Sequence, residues 1–494
     1  MPNLDPDGLA VDLGKAVIRT PGLSGKVTLH DAGSSGMRGA EDSTTSLREA
    51  LAHNDVDEDF TLEITEPREI DASSGTRASG GSDDIVLEAR NPGEGFGQAV
   101  LYAAEDGTLS WHFPAGSEDA TRTTRGGSTL TYKIPRSVSL GDDGGGHRGA
   151  IGAVGSKIIK VLIYRLADKA LGAAGNYFAK KYEQAHRPYG LRAFTPANYS
   201  EPSDETLDDA ELKALAHGPS LLFVHGTMST AHGGFGTIPK DVMTELFRRY
   251  EGRVFAFNHH TISSTPTDDA ATFASMLPMD TNMTVDIVAH SRGGLVGRVM
   301  TEHAAAVNLA GRVQVRNLVM VATPNAGTVL ADREKIEQLL NRLTCLVQFI
   351  PDNGATDTLD IIIAVVKQVA VGVFGGLEGI SAMNPRGDYL TSYLKGPAST
   401  DTRYFAAASN FEPPHGSPLL RVARDAGTDV VFGHVPNDLV VPTEGVYTVP
   451  GASHFPIPAP LLFGSAAGVS HSTYWTQPDF AKSLLAWLPD SSTP

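Results

Sequence analysis

Residues 284–300 read Thr-Val-Asp-Ile-Val-Ala-His-Ser-Arg-Gly-Gly-Leu-Val-Gly-Arg-Val-Met. Val285, Ile287 and Val288 carry an apolar strand pattern that runs directly into Ala289-His290-Ser291-Arg292-Gly293, and a helix-like run follows. Strand, sharp serine-bearing turn and helix form the layout that thrusts a serine above the edge of a sheet. Such a turn is tight, so its flanking positions favour very small side chains, here Ala289 and Gly293. In that geometry the backbone N–H of Arg292 points to where a developing oxyanion would sit. The plainer alternative is a Ser-Gly turn in an ordinary βα unit, and the flanking chain decides between the two.

Outward from this stretch the pattern alternates between strand and helix. Ser220-Leu-Leu-Phe-Val predicts a strand, and 237–250 a helix with Val242, Leu246 and Phe247 on its apolar side. Arg253-Val-Phe-Ala-Phe predicts a second strand, and Asp268 to Leu277 a second helix. After the serine come a helix over 293–309 and a strand at Val315-Arg-Asn-Leu-Val-Met-Val. Further strands are predicted at Thr402–Ala408 and at Val446-Tyr-Thr-Val, with a final helix at 478–487. Continuous apolar strands alternating with helices imply an α/β fold: a mostly parallel sheet covered on both faces. Between them, residues 330–395 break the alternation and hold two helix candidates. One is the unusually apolar run from Leu359 to Phe374, too short and too interrupted to span a bilayer comfortably.

A serine hydroxyl becomes a useful nucleophile only if a base takes its proton and a carboxylate orients that base. Both must lie on later loops, at the strand ends on the serine's side of the sheet. The acid candidate is Asp438, in His434-Val-Pro-Asn-Asp-Leu-Val-Val-Pro442, with Asp425 and Asp429 as alternatives in a more polar setting. The base candidate is His471, in Gly468-Val-Ser-His-Ser-Thr-Tyr-Trp475, preferred for its place just before the terminal helix. His454, which follows the 446–449 segment closely, is the alternative. A second oxyanion donor is expected on the loop after the early strand, Val224-His225-Gly226-Thr227-Met228. Gly226 lets the backbone approach the substrate, and the Thr227 N–H would pair with that of Arg292. His225 reads as structural rather than as a second base. His232-Gly233-Gly234-Phe235-Gly236 lacks the Lys-Ser/Thr that a phosphate cradle requires.

Together these motifs resemble the lipase-type α/β-hydrolases over about 218–490. The matching stretches, in order, are His225-Gly226, Ala-His-Ser-Arg-Gly at 289–293, Ala322-Thr-Pro-Asn-Ala-Gly-Thr328, Asn437-Asp-Leu-Val-Val-Pro442 and the late His471. Glu378-Gly-Ile-Ser-Ala-Met-Asn-Pro resembles the end of that family's lid region. The resemblance implies a serine hydrolase of esters, often lipid esters, with 330–395 as a helical cap or lid. Ser291, Asp438 and His471 would be its catalytic residues, in that family's chain order. Ala289 departs from the glycine that many members carry at that position.

Residues 1–150 are acidic and rich in Gly, Ser and Thr, with short alternating segments at 60–64, 85–89, 98–102, 108–113 and 129–134. They predict a small β-rich domain, sandwich-like. Residues 151–214 are expected to form a helical connector. Within it, Ile158, Leu162, Leu166, Ala170, Ala174 and Phe178 recur at helical spacing among many lysines, and Asp168 and Glu183 are the only acids facing them in 151–187. This predicts one long basic helix or a pair broken near Gly172 or Gly175, packed on the acidic domain or, with the lid, touching a membrane surface. The hydrolase-like domain then occupies 215–494.

The 494-residue chain carries a net charge of −17, which argues against nucleic-acid binding. Cys345 is its one cysteine, which precludes an intrachain disulfide or a cysteine metal cluster and reads as a buried structural thiol. The acidic, proline-broken N-terminus lacks the pattern of a secretory signal, so a cytoplasmic location is expected. The triad chemistry requires neither a metal nor an organic cofactor. The predicted substrate is an ester, with a lipid preferred because the lid region is apolar. Two alternatives stand beside it. One is a small-substrate carboxylesterase or thioesterase; the other is a non-catalytic binding or scaffolding protein on the same fold.

Overall fold

The structure is a computed structural model. It describes residues 1–32, 43–70, 84–104, 109–115, 129–135, 156–166, 177–332, 335–347, 352–370, 377–395, 401–412, 432, 435–452 and 454–488. The alternative acids Asp425 and Asp429 lie outside the described residues.

The N-terminal region is built from β1 (Val11–Asp12), β2 (Ala16–Arg19), β3 (Leu23–Asp31), β4 (Val56–Glu69), β5 (Ile85–Arg90), β6 (Phe96–Ala103), β7 (Leu109–His112), β8 (Thr129–Ile134) and β9 (Ser156–Arg165). They form a four-stranded sheet, order β1-β2-β5-β8, and a five-stranded sheet, order β3-β4-β9-β6-β7. All pairings in both sheets are antiparallel. The facing sides share one core that includes Ile18, Phe60, Leu62, Leu87, Tyr132, Ile159 and Val161. This is a two-sheet sandwich with its alternating apolar residues turned inward.

The helix expected over 151–187 is corrected here. Residues 156–165 form β9, the central strand of the five-stranded sheet, and among the described residues of that span the helix is Tyr177–His186, with Ala170 and Ala174 outside the described residues. Ile159 and Val161 enter the sandwich core, whereas Ile158, Leu162 and Tyr164 belong to the core shared with the rest of the chain. With both faces buried the strand shows no polar alternation, and Ile158 and Leu162 imitate helical spacing. The basic amphipathic surface proposed for membrane contact is therefore absent over 156–165. No helix among the described residues is long and apolar enough to cross a membrane.

The larger sheet contains β10 (Gly190–Ala193), β11 (Ser220–Val224), β12 (Val254–Asn258), β13 (Met283–His290), β14 (Val313–Val321), β15 (Arg403–Ser409) and β16 (Leu461–Phe463). Its order is β10-β12-β11-β13-β14-β15-β16. β10 is antiparallel to β12, and every other neighbouring pair is parallel. The sheet thus begins at 190, inside the segment expected to be connector. Leu222, Val285, Ile287 and Met320 face one core with Phe273, Leu295 and Val296 of the helices Pro266–Met276 and Gly293–Glu302. Leu221, Phe223, Val288 and Val319 face the other, with Met243 and Leu246 of Lys240–Arg249 and Phe480 and Leu484 of Pro478–Trp487. Both faces are covered, as the continuous apolar strands require. The strand expected at 446–449 is not formed: Glu444–Val446 is a 3-10 turn, and the last strand is β16.

The region 330–395 contributes the helices Ile336–Leu346 and Asp352–Ala370, followed by two short ones, Glu378–Ser381 and Asp388–Thr391. The apolar surface of Asp352–Ala370 does not face solvent: every residue from Leu359 to Val369 is buried. The N-terminal region covers it. Lys367 Nζ donates to Asn54 O (2.6 Å), Tyr164 OH to Lys367 O (2.9 Å) and Asn54 Nδ2 to Asp360 O (3.0 Å). The neighbouring helix is held by fully buried Trp111, whose Nε1 donates to Thr344 Oγ1 (3.0 Å) and whose N–H donates to Asn341 Oδ1 (2.7 Å).

Candidate active site

Because the strands are parallel, the loops after β11, β13, β15 and β16 open on one edge of the sheet. Ser291 follows the central strand β13 with φ +52°, a left-handed conformation unusual for a non-glycine residue. Its N–H donates to Val321 O (2.8 Å), which fixes the turn to β14. The small residues around it are sterically required. A Cβ on Gly226 would lie 2.6 Å from the Ser291 Cβ, and one on Gly293 would collide with the carbonyls of Val224 and His225. A Cβ on Gly297 would meet Leu318 of β14 at 2.7 Å, so that glycine lets the following helix lie close on the sheet.

Ser291, His471 and Asp438 converge. His471 Nε2 is 3.0 Å from Ser291 Oγ, and His471 Nδ1 is 2.9 Å from Asp438 Oδ2. All three are buried. Asp438 also accepts hydrogen bonds from Val440 N (3.1 Å), Val441 N (2.8 Å) and Tyr474 OH (3.1 Å), donors that compensate a carboxylate withdrawn from water. Burial, reinforced by Asp438, holds the Tyr474 phenol well above its ordinary value, so it remains a donor. His471 N–H donates to Asp438 O (3.1 Å), a backbone tie between the two loops. His454, the alternative base, instead stacks on Tyr404 of β15 at 4.1 Å.

Sequence reasoning did not single out His290. Its Nε2 donates to His471 O (2.8 Å), and burial, with His471 next, lowers its pKa to about 3. It is a neutral ring that steadies the His471 backbone. Tyr474 was likewise missed: its only sequence signal is that it lies three residues after His471.

Arg292 follows the serine on the elbow itself, and Thr227 follows Gly226, whose backbone approaches Ser291, on the loop after β11. The Arg292 side chain is fully buried. It pairs with Asp269 (2.8 Å) and donates from Nε to Gly379 O (3.1 Å), from Nη1 to His260 O (3.3 Å) and from Nη2 to Ser264 O. Burial pushes the Asp269 carboxyl up, but Arg292 and His259 outweigh it and hold the carboxyl below its usual range. His225 has a structural role. Its Nε2 accepts from His259 N–H (3.2 Å), so Nδ1 carries the proton and donates to Gly226 O (3.1 Å). Burial and the neighbouring His259 keep His225 far below its ordinary pKa.

A pocket is lined in part by His290 and by His471, the histidine that meets Ser291 Oγ. Met228, Leu343 and Leu346 give it an apolar wall, and Thr227, Ser229, Thr237, Thr358 and Ser472 add hydroxyls.

Among solved structures, the chain is similar to the mature form of the Bacillus licheniformis lipase BlEst2 (16% identity, TM-score 0.35, 60% of this chain and 97% of that one). It is also similar to lipase 1 from Pelosinus fermentans (15%, 0.35, 54% and 98%) and to phospholipase PlaB from Legionella pneumophila (15%, 0.32, 46% and 45%). No curated protein matches the sequence. A family model described as "Domain of unknown function (DUF7379)" matches residues 186–489, from just before β10 to the end of the last helix. That match spans more than half of the 494 residues, and the chain therefore belongs to the DUF7379 family.

Proposed function

We propose that the chain is a serine ester hydrolase of the α/β-hydrolase type. The observation that carries this reading is the continuous line Ser291 Oγ–His471 Nε2 (3.0 Å) and His471 Nδ1–Asp438 Oδ2 (2.9 Å), set on a serine at φ +52°. Ser291 attacks the ester carbonyl as His471 takes its proton. Asp438 fixes the ring with Nδ1 protonated and stabilises the imidazolium that forms. The N–H groups of Thr227 and Arg292 receive the oxyanion. His471 then returns the proton to the leaving alcohol, and water, activated by the same histidine, releases the acid.

The substrate reading turns on the cap. The apolar helix Asp352–Ala370 is occupied by the N-terminal region, so its hydrophobicity is no sign of a long acyl chain. What remains in the pocket against His471 is a short wall of Met228, Leu343 and Leu346 with hydroxyls around it. This favours small or medium water-soluble esters, thioesters included, over interfacial lipids. Fluorophosphonate labelling of the wild type but not of Ser291→Ala, with hydrolysis of p-nitrophenyl acetate or butyrate, is the expected result. An unlabelled wild type overturns the hydrolase reading. Faster turnover of long-chain esters on lipid emulsions than of dissolved butyrate overturns the substrate reading.

A further inference from the structure

The loop after β12, residues 259–264, lies between the two halves of the oxyanion site. On one side the carbonyls of His260 and Ser264 accept from the guanidinium of Arg292. On the other, Thr261 Oγ1 accepts from the N–H of Met228 (3.1 Å), the residue after Thr227. Met228 itself sits at φ +54°, a conformation that needs external support.

The loop is in turn gathered by one side chain from outside the sheet. Glu183, fully buried on the helix Tyr177–His186, takes Thr261 N (2.6 Å), Ile262 N (3.0 Å) and Thr261 Oγ1 (3.3 Å) on its Oε1. Its Oε2 takes Ser263 N (3.0 Å) and Ser263 Oγ (2.6 Å). Three consecutive N–H groups converging on one point form an anion-binding concavity, and Glu183 fills it. A hydroxyl has one proton. Because that of Thr261 is directed to Glu183, a lone pair is left facing the Met228 N–H.

We propose that Glu183 and Thr261 form a relay that positions the Thr227–Met228 backbone as oxyanion donor. Both are positioning residues, and the proposal rests on the hydrolase reading given above. Glu183 precedes the family-matched span 186–489, so a residue outside that span completes the site.

Thr261→Val tests the relay. It removes the hydroxyl at nearly constant volume and leaves Glu183 its four other hydrogen bonds, to Thr261 N, Ile262 N, Ser263 N and Ser263 Oγ. The full-length variant should lose kcat on p-nitrophenyl butyrate by about 10- to 100-fold, since misplacement by about 1 Å costs up to about 10²-fold. Its KM should stay within about twofold, the pattern of an interaction made in the transition state. Thr261→Ser should recover most of the lost rate, and hydrogen–deuterium exchange at Met228 should quicken in Thr261→Val alone. Unchanged exchange at Met228 overturns the relay. So does a loss in Thr261→Val that Thr261→Ser does not rescue, because that marks a packing effect. A wild type that neither labels nor cleaves esters refutes the hydrolase reading separately, and the exchange measurement then still judges the relay.

Discussion

Gly226→Ala is the most sensitive perturbation of the serine turn. The new Cβ would lie 2.6 Å from the Ser291 Cβ, 3.1 Å from His290 O and 3.2 Å from His290 Nδ1. Ordinary contact begins at 3.4 Å, so the closest pair must separate by 0.8 Å (3.4 − 2.6). The obstructing atoms are backbone, the Ser291 Cβ and a buried ring, none of which can swing aside. Gly226 is not among the positive-φ glycines, so alanine suits its backbone and the conflict is purely spatial. Ser291 Oγ stands 3.0 Å from His471 Nε2, and a 0.8 Å shift along that line gives 3.8 Å, beyond a hydrogen bond. A misplacement of this size costs about 10²-fold in rate, or about 2.7 kcal/mol. Overpacking should cost about 1–3 kcal/mol of stability. The assay is kcat on p-nitrophenyl butyrate and the second-order rate of fluorophosphonate labelling, with thermal unfolding as the control for folding. A folded Gly226→Ala that labels and turns over within twofold of the wild type would refute the claim that this contact places the nucleophile.

Other perturbations have equally definite outcomes. Asp269→Ala leaves the buried Arg292 guanidinium without its carboxylate, and should lower unfolding stability by about 3–5 kcal/mol in urea titration. A loss below 1 kcal/mol would mean the pair contributes little. Acid should destabilise the protein through buried neutral histidines. Burial depresses His112 to about 4 and His290 to about 3, from 6.5 when unfolded. The unfolded chain therefore binds more protons. Their stabilising contribution is complete above pH 6.5 and is lost as pH falls toward those lower values, by about 1.4 kcal/mol per pH unit for each group. Urea midpoints between pH 7 and 5 should fall, and less steeply in His112→Gln; identical slopes would contradict this.

How much of this was legible in the sequence varied with the range of the contacts involved. The elbow around Ser291 was readable because strand, turn and helix are adjacent in the chain. Asp438 and His471 were readable because each follows or precedes a local element in a consistent order. Residues 156–165 misled because β9 is buried on both faces, so Ile158 and Leu162 matched a helical period. The corrective signal was the density of β-branched residues, Ile158, Ile159, Val161 and Ile163. The apolar run at 359–369 was visible, but its partners lie some three hundred residues earlier, at His53 and Asn54, and no periodicity discloses them. Glu183 left one faint trace as an acid among Lys180 and Lys181. Its hydrogen-bond partners lie on a loop about eighty residues later in the chain.

The central position of β9 also sets an order of events during synthesis. Its partners β4 and β6 are not neighbours, and each stays unpaired along the edge that β9 will occupy until residues 156–165 emerge. Between the end of β4 and the start of β9 lie 86 residues (70–155), which a ribosome adds in about 4–17 s. For that interval β4 has an open strand edge, joined by that of β6 once residue 103 is made, and such edges template pairing with other chains. Fragments ending before residue 156 should therefore aggregate, whereas chains extended past Arg165 close the sheet.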